Sequence, residues 1–476
     1  MALTSKDILA NSGIQFGTSG ARGLVEQFTD QACAAFTLAF LSVMKEEFSI
    51  ERVALGIDRR PSSPSMAAAC AAAAADLGVT VDYYGVLPTP AVALQAMQDG
   101  IPAIVITGSH IPFDRNGIKF YRPDGEISKA DEQAILQAEV EVKSVQSVLP
   151  DESARARQLY MERYTQLFAP DLLQGKRIGL YEHSAAGREL NAEVLKKLGA
   201  EVISLGRTDT FVPIDTEAVS EEDQQQALAW SSEYELDAIF STDGDGDRPL
   251  VADEHGQWLR GDILGLLCAR ALDIQALAVP VSCNTAIEKS DLFAEVKRTR
   301  IGSPYVIEGM AVLAERFERV AGFEANGGFL LQSAVSMGAA IITPLPTRDA
   351  LLPALMLLAG SALQGKPISA LLAELPERIT ASDRIKDVPT DKSKALIVSW
   401  AENLNAMLES LHLPSEAVSA DTTDGLRVTL SSGDIVHLRP SGNAPELRCY
   451  AEAGNYLQAK ALVSHCLERV NKVINT

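Results

Sequence analysis

Cysteine is scarce and unpaired in this chain. Its six residues (Cys33, Cys70, Cys268, Cys283, Cys449 and Cys466) lie far apart with no CxxC pair, which argues against both a disulfide framework and a zinc site. The expectation is a reducing, cytoplasmic setting with buried thiols. Long apolar runs are also missing. The longest, Met66 to Ala75 and Ala350 to Gly360, fall well short of the ~20 residues that span a bilayer, so no segment is expected to cross a membrane. The stretch Met1 to Gly13 has no apolar core preceded by positive charge and does not read as a secretory signal. Positive charge is in deficit, with 42 Lys+Arg against 63 Asp+Glu and a net charge of -21. That field repels nucleic-acid phosphates and anionic headgroups, so neither nucleic acid nor membrane is an expected partner. An anionic substrate would have to be held by local basic side chains and backbone N–H groups. Gly/Ser-rich and Pro-rich linkers are absent too, and close packing of domains is expected.

What is present is the composition of a folded globular chain, 47% hydrophobic and 22% charged over 476 residues. At roughly 100 to 200 residues per domain, about three or four domains are expected. In the first third, apolar runs at Val53 to Ile57, Val79 to Tyr84 and Ala103 to Thr107 alternate with helical stretches such as Ser65 to Leu77. This predicts α/β layering with a largely parallel sheet. The pattern returns from Arg177 and again from Asp262. From about Ile385 it changes: a helix over Asp391 to Leu411, short strands at Leu426 to Leu430, Ile435 to Leu438 and Glu446 to Ala451, then a helix over Tyr456 to Val473. Sequential strands with short turns predict an antiparallel sheet with helices on one face. Joints are expected near Pro150 to Ser153, Ala252 to Gln257 and Lys366 to Pro376.

Four loops carry chemistry. Phe16 to Gly23 places three glycines and two hydroxyls beside Arg22, suited to backbone N–H groups closing on an anion and equally to a structural turn. Thr107-Gly108-Ser109-His110-Ile111-Pro112 follows an apolar strand, where α/β sheets place their sites; Ser109 as a cap of the next element is the plain alternative. Ile111 stands where Gly-x-Ser-x-Gly needs glycine, which disfavours serine hydrolase chemistry. Lys119, a little downstream on a strand, could reach the same pocket. Asp243-Gly244-Asp245-Gly246-Asp247-Arg248 aims three carboxylates at one point, as a hard cation with oxygen ligands requires. Without a divalent ion they would repel. An EF-hand is the rival, since Glu254 is twelfth counting from Asp243. It fails because Arg248 takes the sixth position, where glycine is needed, and strands flank the loop. Finally, Arg439 to Arg448 sets two arginines around a turn with Ser441 and Asn443, fit for a phosphate or for an exposed hairpin. The polar loop Gly322 to Gly328 ends a strand and offers Glu324 and Asn326.

In this order the loops resemble the α-D-phosphohexomutase superfamily, the phosphomannomutases, phosphoglucomutases and phosphoglucosamine mutases, over nearly the whole chain from Phe16 to Arg448. The resemblance implies three similar α/β domains and a smaller C-terminal α+β domain with an antiparallel sheet around a central cleft. The expected boundaries are 1–151, 152–252, 253–370 and 371–476. It implies phosphorylated Ser109 as phosphoryl carrier, with Arg22, Lys119, Arg248 and His110 in catalysis, and Mg²⁺ held by Ser109, Asp243, Asp245 and Asp247. Arg439, Ser441, Asn443 and Arg448 would dock the fixed phosphate, while Glu324, Asn326, Gly327 and Ser303 would meet the sugar. The implied reaction interconverts hexose 1- and 6-phosphates through a bisphosphorylated hexose, which also serves as activator. Monomer or homodimer is the implied state. Three departures bear on the sugar: Ala444 stands where the family commonly has Thr, Asn326 and Gly328 replace Ser and His, and Gly302 to Val306 matches a phosphoglucosamine mutase stretch without its Asp. Mannose phosphates are the expected substrate, with glucose phosphates beside them. Phosphoglucosamine mutase, a non-catalytic sugar-phosphate binder and a phosphomonoester hydrolase are the alternatives.

Overall fold

Apolar runs and helical stretches fold into strands and helices within a few residues of their expected positions. The computed structural model describes residues 3–17, 20–143, 148–414, 416–441 and 445–475. The chain forms two units, residues 1–273 with 326–369, and 274–325 with 370–476.

The first unit contains a seven-stranded sheet. Its strands Arg52–Ile57, Thr80–Val86 and Ala103–Ile106 are parallel, as expected. The sheet is nevertheless mixed rather than largely parallel. Arg115–Arg122 pairs antiparallel with Ala103–Ile106, and Ala21–Leu24 antiparallel with Arg115–Arg122. The loop from Thr107 to Asp114 is too short for the crossover that a parallel neighbour demands, so the chain doubles back. Helices Asp30–Glu47 and Ser63–Asp76 pack on each other and on this sheet. Their alanines permit close approach, and Phe16, Phe36, Phe40 and Phe120 fill the core between helix and sheet.

The same device recurs in a four-stranded sheet. Glu201–Leu205, Arg177–Tyr181 and Ala238–Thr242 run parallel, and Pro249–Ala252 returns antiparallel to Ala238–Thr242. In both sheets a chemistry-bearing loop is therefore the tight return from the last parallel strand. The first unit also holds the antiparallel pair Phe329–Leu331 and Leu345–Asp349 and the helix Leu351–Gln364 packed on Gly261–Ala271.

In the second unit Glu295–Thr299, Ala276–Pro280 and Val320–Phe323 run parallel. Its five-stranded sheet, Ile379–Lys386, Glu446–Ala453, Ile435–Pro440, Leu426–Leu430 and Ala417–Asp421, is antiparallel throughout. Trp400, Met407, Leu411, Val463 and Cys466 cover its apolar face. The helix expected over Asp391 to Leu411 is two helices, Thr390–Glu402 and Leu404–Ser410. Asn403 leaves helical geometry and its side chain caps the second by accepting the Ala406 N–H. All six thiols are free and buried, and among the described residues no helix is long and apolar enough to cross a membrane.

Candidate active site

Ser109 stands in the return loop after Ala103–Ile106 with φ +54°, a left-handed conformation uncommon outside glycine. The surroundings hold it there. Thr107 Oγ1 accepts its N–H at 2.8 Å. Arg60, 1% exposed, donates to the carbonyls of Ser109, Ile111, Pro112 and Arg115 at 2.6 to 3.0 Å. The Arg60 guanidinium also lies 3.9 Å over the Phe211 ring and 3.3 Å from Asp58. So fixed, Ser109 Oγ donates to Asp243 Oδ2 at 2.5 Å.

Asp243, Asp245 and Asp247 sit on the return loop after Ala238–Thr242 and are fully buried. Gly244 lets this loop meet the serine loop, since a Cβ there would fall 2.8 Å from the Ser109 carbonyl oxygen. Asp243 Oδ1 accepts the N–H groups of Asp247 and Arg248. Asp245 Oδ2 accepts Thr89 Oγ1 and Lys119 Nζ, each at 2.6 Å, and Lys119 also reaches Asp247 Oδ2 at 2.6 Å. Burial, reinforced by Asp245 and Asp247, pushes the Asp243 carboxyl well above its ordinary range. Burial works against ionising Asp247 as well, but Arg348, Lys119 and Arg248 together hold its carboxyl low.

These residues fit a divalent cation. One oxygen from each Asp lies within 4.8 Å of the others, and Oδ1 of both Asp245 and Asp247 is buried with no hydrogen-bond donor. Such oxygens need a ligand that is not a donor side chain. Glu254, the twelfth position of the EF-hand count, instead accepts the Ser369 N–H and hydroxyl.

Cations ring the loop. Arg22 lies on the strand Ala21–Leu24, not in a loop; burial and then Arg248 and Arg348 bring its pKa down to about 10, which leaves it charged. Arg248 Nε stands 3.6 Å from Asp247 Oδ1, and its Nη1 donates to His110 Nδ1 at 3.0 Å. With Nδ1 accepting, the His110 proton belongs on Nε2. Burial and then Arg248 lower its pKa to about 2, so His110 is neutral. Asn326 Oδ1 accepts the Gly328 N–H at 3.0 Å, its carbonyl accepts Thr216 Oγ1, and Gly327 lies beside Pro249 and Gly261.

In the second unit Glu324 is buried, and Ser303, also buried, begins the helix Ser303–Ala314. Arg439 and Arg448 face each other across adjacent strands. Arg384 is opposite Arg448 on the far side, so three arginines share one row, an arrangement that favours an anion. Asp424 holds Arg439 Nε at 2.9 Å, and Glu446 lies 3.7 and 3.8 Å from Arg384 and Arg448. Ser441 is buried, its N–H on the Glu446 carbonyl. Asn443 and Ala444 lie outside the described residues, as do Thr18 and Ser19, the two hydroxyls of the stretch Phe16 to Gly23.

Arg60, Thr89, Arg348 and Arg384 were not legible as site residues. Arg60 and Arg348 share one signal, position just beyond or at the carboxyl end of a buried strand.

Four family models match the chain: phosphoglucomutase/phosphomannomutase alpha/beta/alpha domain I over residues 13–144, domain II over 158–256, domain III over 260–379, and the C-terminal domain over 372–468. A phosphomannomutase of Salmonella muenchen is 54% identical over 98% of this chain and 97% of its own. A phosphomannomutase of Sinorhizobium fredii is 42% identical, covering 96% of this chain and 99% of its own. The crystal structure of a phosphoglucomutase/phosphomannomutase family protein from Burkholderia thailandensis superposes with a TM-score of 0.74 at 20% identity, over 96% of this chain and 97% of that one, a likeness of fold.

Proposed function

The chain belongs to the phosphoglucomutase/phosphomannomutase family of intramolecular phosphotransferases, and from that premise we propose that it interconverts mannose 1-phosphate and mannose 6-phosphate, accepting glucose phosphates as well. The observation that carries this reading is the 2.5 Å hydrogen bond from Ser109 Oγ to Asp243 Oδ2, inside a shell of Lys119, Arg22 and Arg248. A binding protein needs no such serine.

In the proposed cycle, phosphorylated Ser109 gives its phosphoryl group to the free hydroxyl of a hexose phosphate; the new P–O bond forms as the Oγ–P bond breaks, and the proton that the hydroxyl loses is matched by one gained at Oγ. The bisphosphorylated hexose turns over and returns its other phosphoryl group to Ser109. At that step Oγ gives up its proton and the sugar oxygen that is released gains one; Asp243 Oδ2, hydrogen-bonded to Oγ, orients the hydroxyl for attack. Asp243, Asp245 and Asp247, with Ser109, would hold Mg²⁺, which would supply positive charge to the phosphoryl group. Lys119, Arg22 and Arg248 spread positive charge around the group in transit, the main contribution that phosphoryl transfer asks of a protein. Neutral His110, tied through Nδ1, positions Arg248 instead of moving a proton. Arg439 and Arg448, with Ser441 and Asn443, grip the phosphate not being transferred. Glu324, Asn326, Gly327 and Ser303 are the residues we assign to the sugar, Glu324 and Asn326 reading the 3- and 4-hydroxyls, Asn326 through its Nδ2. Mannose and glucose differ only at carbon 2, so both are accepted. We place the domain boundaries at 151/152, 252/253 and 370/371. Six free buried thiols support a cytoplasmic enzyme.

The test is kcat/KM on the 1-phosphates of mannose, glucose, glucosamine and N-acetylglucosamine. The expected order is mannose, then glucose, then glucosamine. A preference for the glucosamine phosphate over both neutral hexoses would overturn the sugar assignment. Inorganic phosphate as the product would mark a hydrolase, and no product at all a binding protein.

A further inference from the structure

Arg348, near the end of the strand Leu345–Asp349, is 2% exposed. It turns two donors onto one oxygen: Nε and Nη2 reach Asp247 Oδ2 at 3.1 and 2.9 Å. Lys119 Nζ donates to that same oxygen at 2.6 Å. Oδ2 is thereby saturated, while Oδ1 of the same carboxylate is buried without a hydrogen-bond donor. The terminal torsion of an aspartate is soft and roughly two-fold, so the two oxygens differ only in what the surroundings do to them.

Arg348 reaches Asp247 because residue 328 is glycine. A Cβ at Gly328 would lie 2.6 Å from Cδ, 2.7 Å from Cγ and 3.0 Å from Cβ of Arg348. These atoms are the stem of the side chain, not its mobile tip, so even one methyl group must push the whole arginine aside. Strand pairing fixes the overlap, since Phe329 is opposite Asp349 and residues 328 and 348 are their neighbours.

We propose that Arg348 is a positioning residue for the cation site: by holding Oδ2 of Asp247 it leaves Oδ1 turned toward a divalent ion, and Gly328 is the space that this requires. The inference rests on reading Asp243, Asp245 and Asp247 as that site. Two roles for Arg348 make opposite predictions. If it were only a nearby positive charge, its removal would tighten cation binding. If it orients a ligand, its removal weakens binding, and groups that orient metal ligands typically contribute about 10- to 100-fold in affinity.

The experiment measures Mn²⁺ affinity of the dephosphorylated protein by electron paramagnetic resonance, for wild type, Arg348→Ala, Gly328→Ala and the double variant. Binding about tenfold weaker is expected in each single variant, and the double variant should be no weaker than Arg348→Ala, because the methyl at 328 acts only through the arginine. Unchanged or tighter binding in either single variant, or losses that multiply in the double, would overturn the proposal. Gly328→Ala keeps every charge of the site, so it decides the matter alone should Arg348→Ala not fold. Failure of wild type to bind Mn²⁺ would overturn the cation reading itself.

Discussion

Ser109 Oγ and Asp243 Oδ2 are joined by a 2.5 Å hydrogen bond across 134 residues of chain. It unites the return loops of two sheets, one bearing the hydroxyl and the other the acidic cluster. Removing the hydroxyl should abolish phosphoryl transfer while leaving Asp243 its two backbone donors. Ser109→Ala is expected to lose turnover by at least ~10³-fold and stability by only about 1 kcal/mol. Intact-mass measurement should show one added phosphate on wild type after incubation with hexose bisphosphate and none on the variant; normal turnover by the variant would reject Ser109 as carrier.

Cation removal should separate function from folding. Excess chelator is expected to stop turnover, added Mg²⁺ to restore it, and the wild-type thermal midpoint to rise with Mg²⁺, since a ligand at about 100 times its Kd stabilises by ~2.7 kcal/mol. Asp245→Asn should lose that Mg²⁺-dependent rise and about 10²-fold or more in kcat, and its midpoint without metal should fall modestly, because Lys119 Nζ and Thr89 Oγ1, which hold the Asp245 carboxyl low despite its burial, lose an ionised acceptor. Full activity in chelator would make the loop structural.

Arg60 carries the serine loop on its guanidinium. Arg60→Ala takes a donor from four carbonyls and the counter-charge from the buried carboxyl of Asp58, and a loss of roughly 3 to 5 kcal/mol is expected. Arg60→Lys keeps the charge without the fan of donors. It should fold, with kcat reduced more than KM is raised, as befits a residue that shapes the reacting loop. Equal kinetics in wild type and Arg60→Lys would count against this role.

Two histidines make the protein sensitive to acid. His183 and His437 are buried, each with Nε2–H on a backbone carbonyl and a bare Nδ1, and burial lowers both from 6.5 to about 4. The unfolded imidazoles take up protons from about pH 6.5 downward, whereas the folded ones resist until about pH 4. Their stabilising contribution is therefore complete above pH 6.5 and declines as pH falls through 6.5 to 4, by roughly 3 kcal/mol each. Urea midpoints at pH 7 and pH 4.5 should differ less in His183→Gln than in wild type. An identical pH dependence in the two proteins would show that His183 does not titrate on unfolding.

Parts of the fold escaped the sequence for identifiable reasons. Apolar runs announced the strands but not their direction: Arg115–Arg122 returns antiparallel because the chemistry-bearing loop before it is short. The break at Asn403 was hidden within a continuous amphipathic pattern. Strand character at Ala21–Leu24, which carries Arg22, comes from pairing with Arg115–Arg122 and leaves no periodicity in a Gly-rich stretch.

What the sequence determined by itself is whatever chemistry is written in consecutive residues: the serine loop at 107–112, the alternating carboxylates at 243–247, the arginine pair at 439 and 448, and from their order the family. Each is local, and a loop of a few residues must gather its own side chains. What only the tertiary structure decided is the partnership of residues far apart in the chain, Lys119 with Asp245 and Asp247, Arg60 with the serine-loop carbonyls, and Arg348 with Asp247 over Gly328. Such pairings depend on which strand ends meet and in what register, and a shift of one residue in a strand would turn Arg348 or Lys119 to the opposite face.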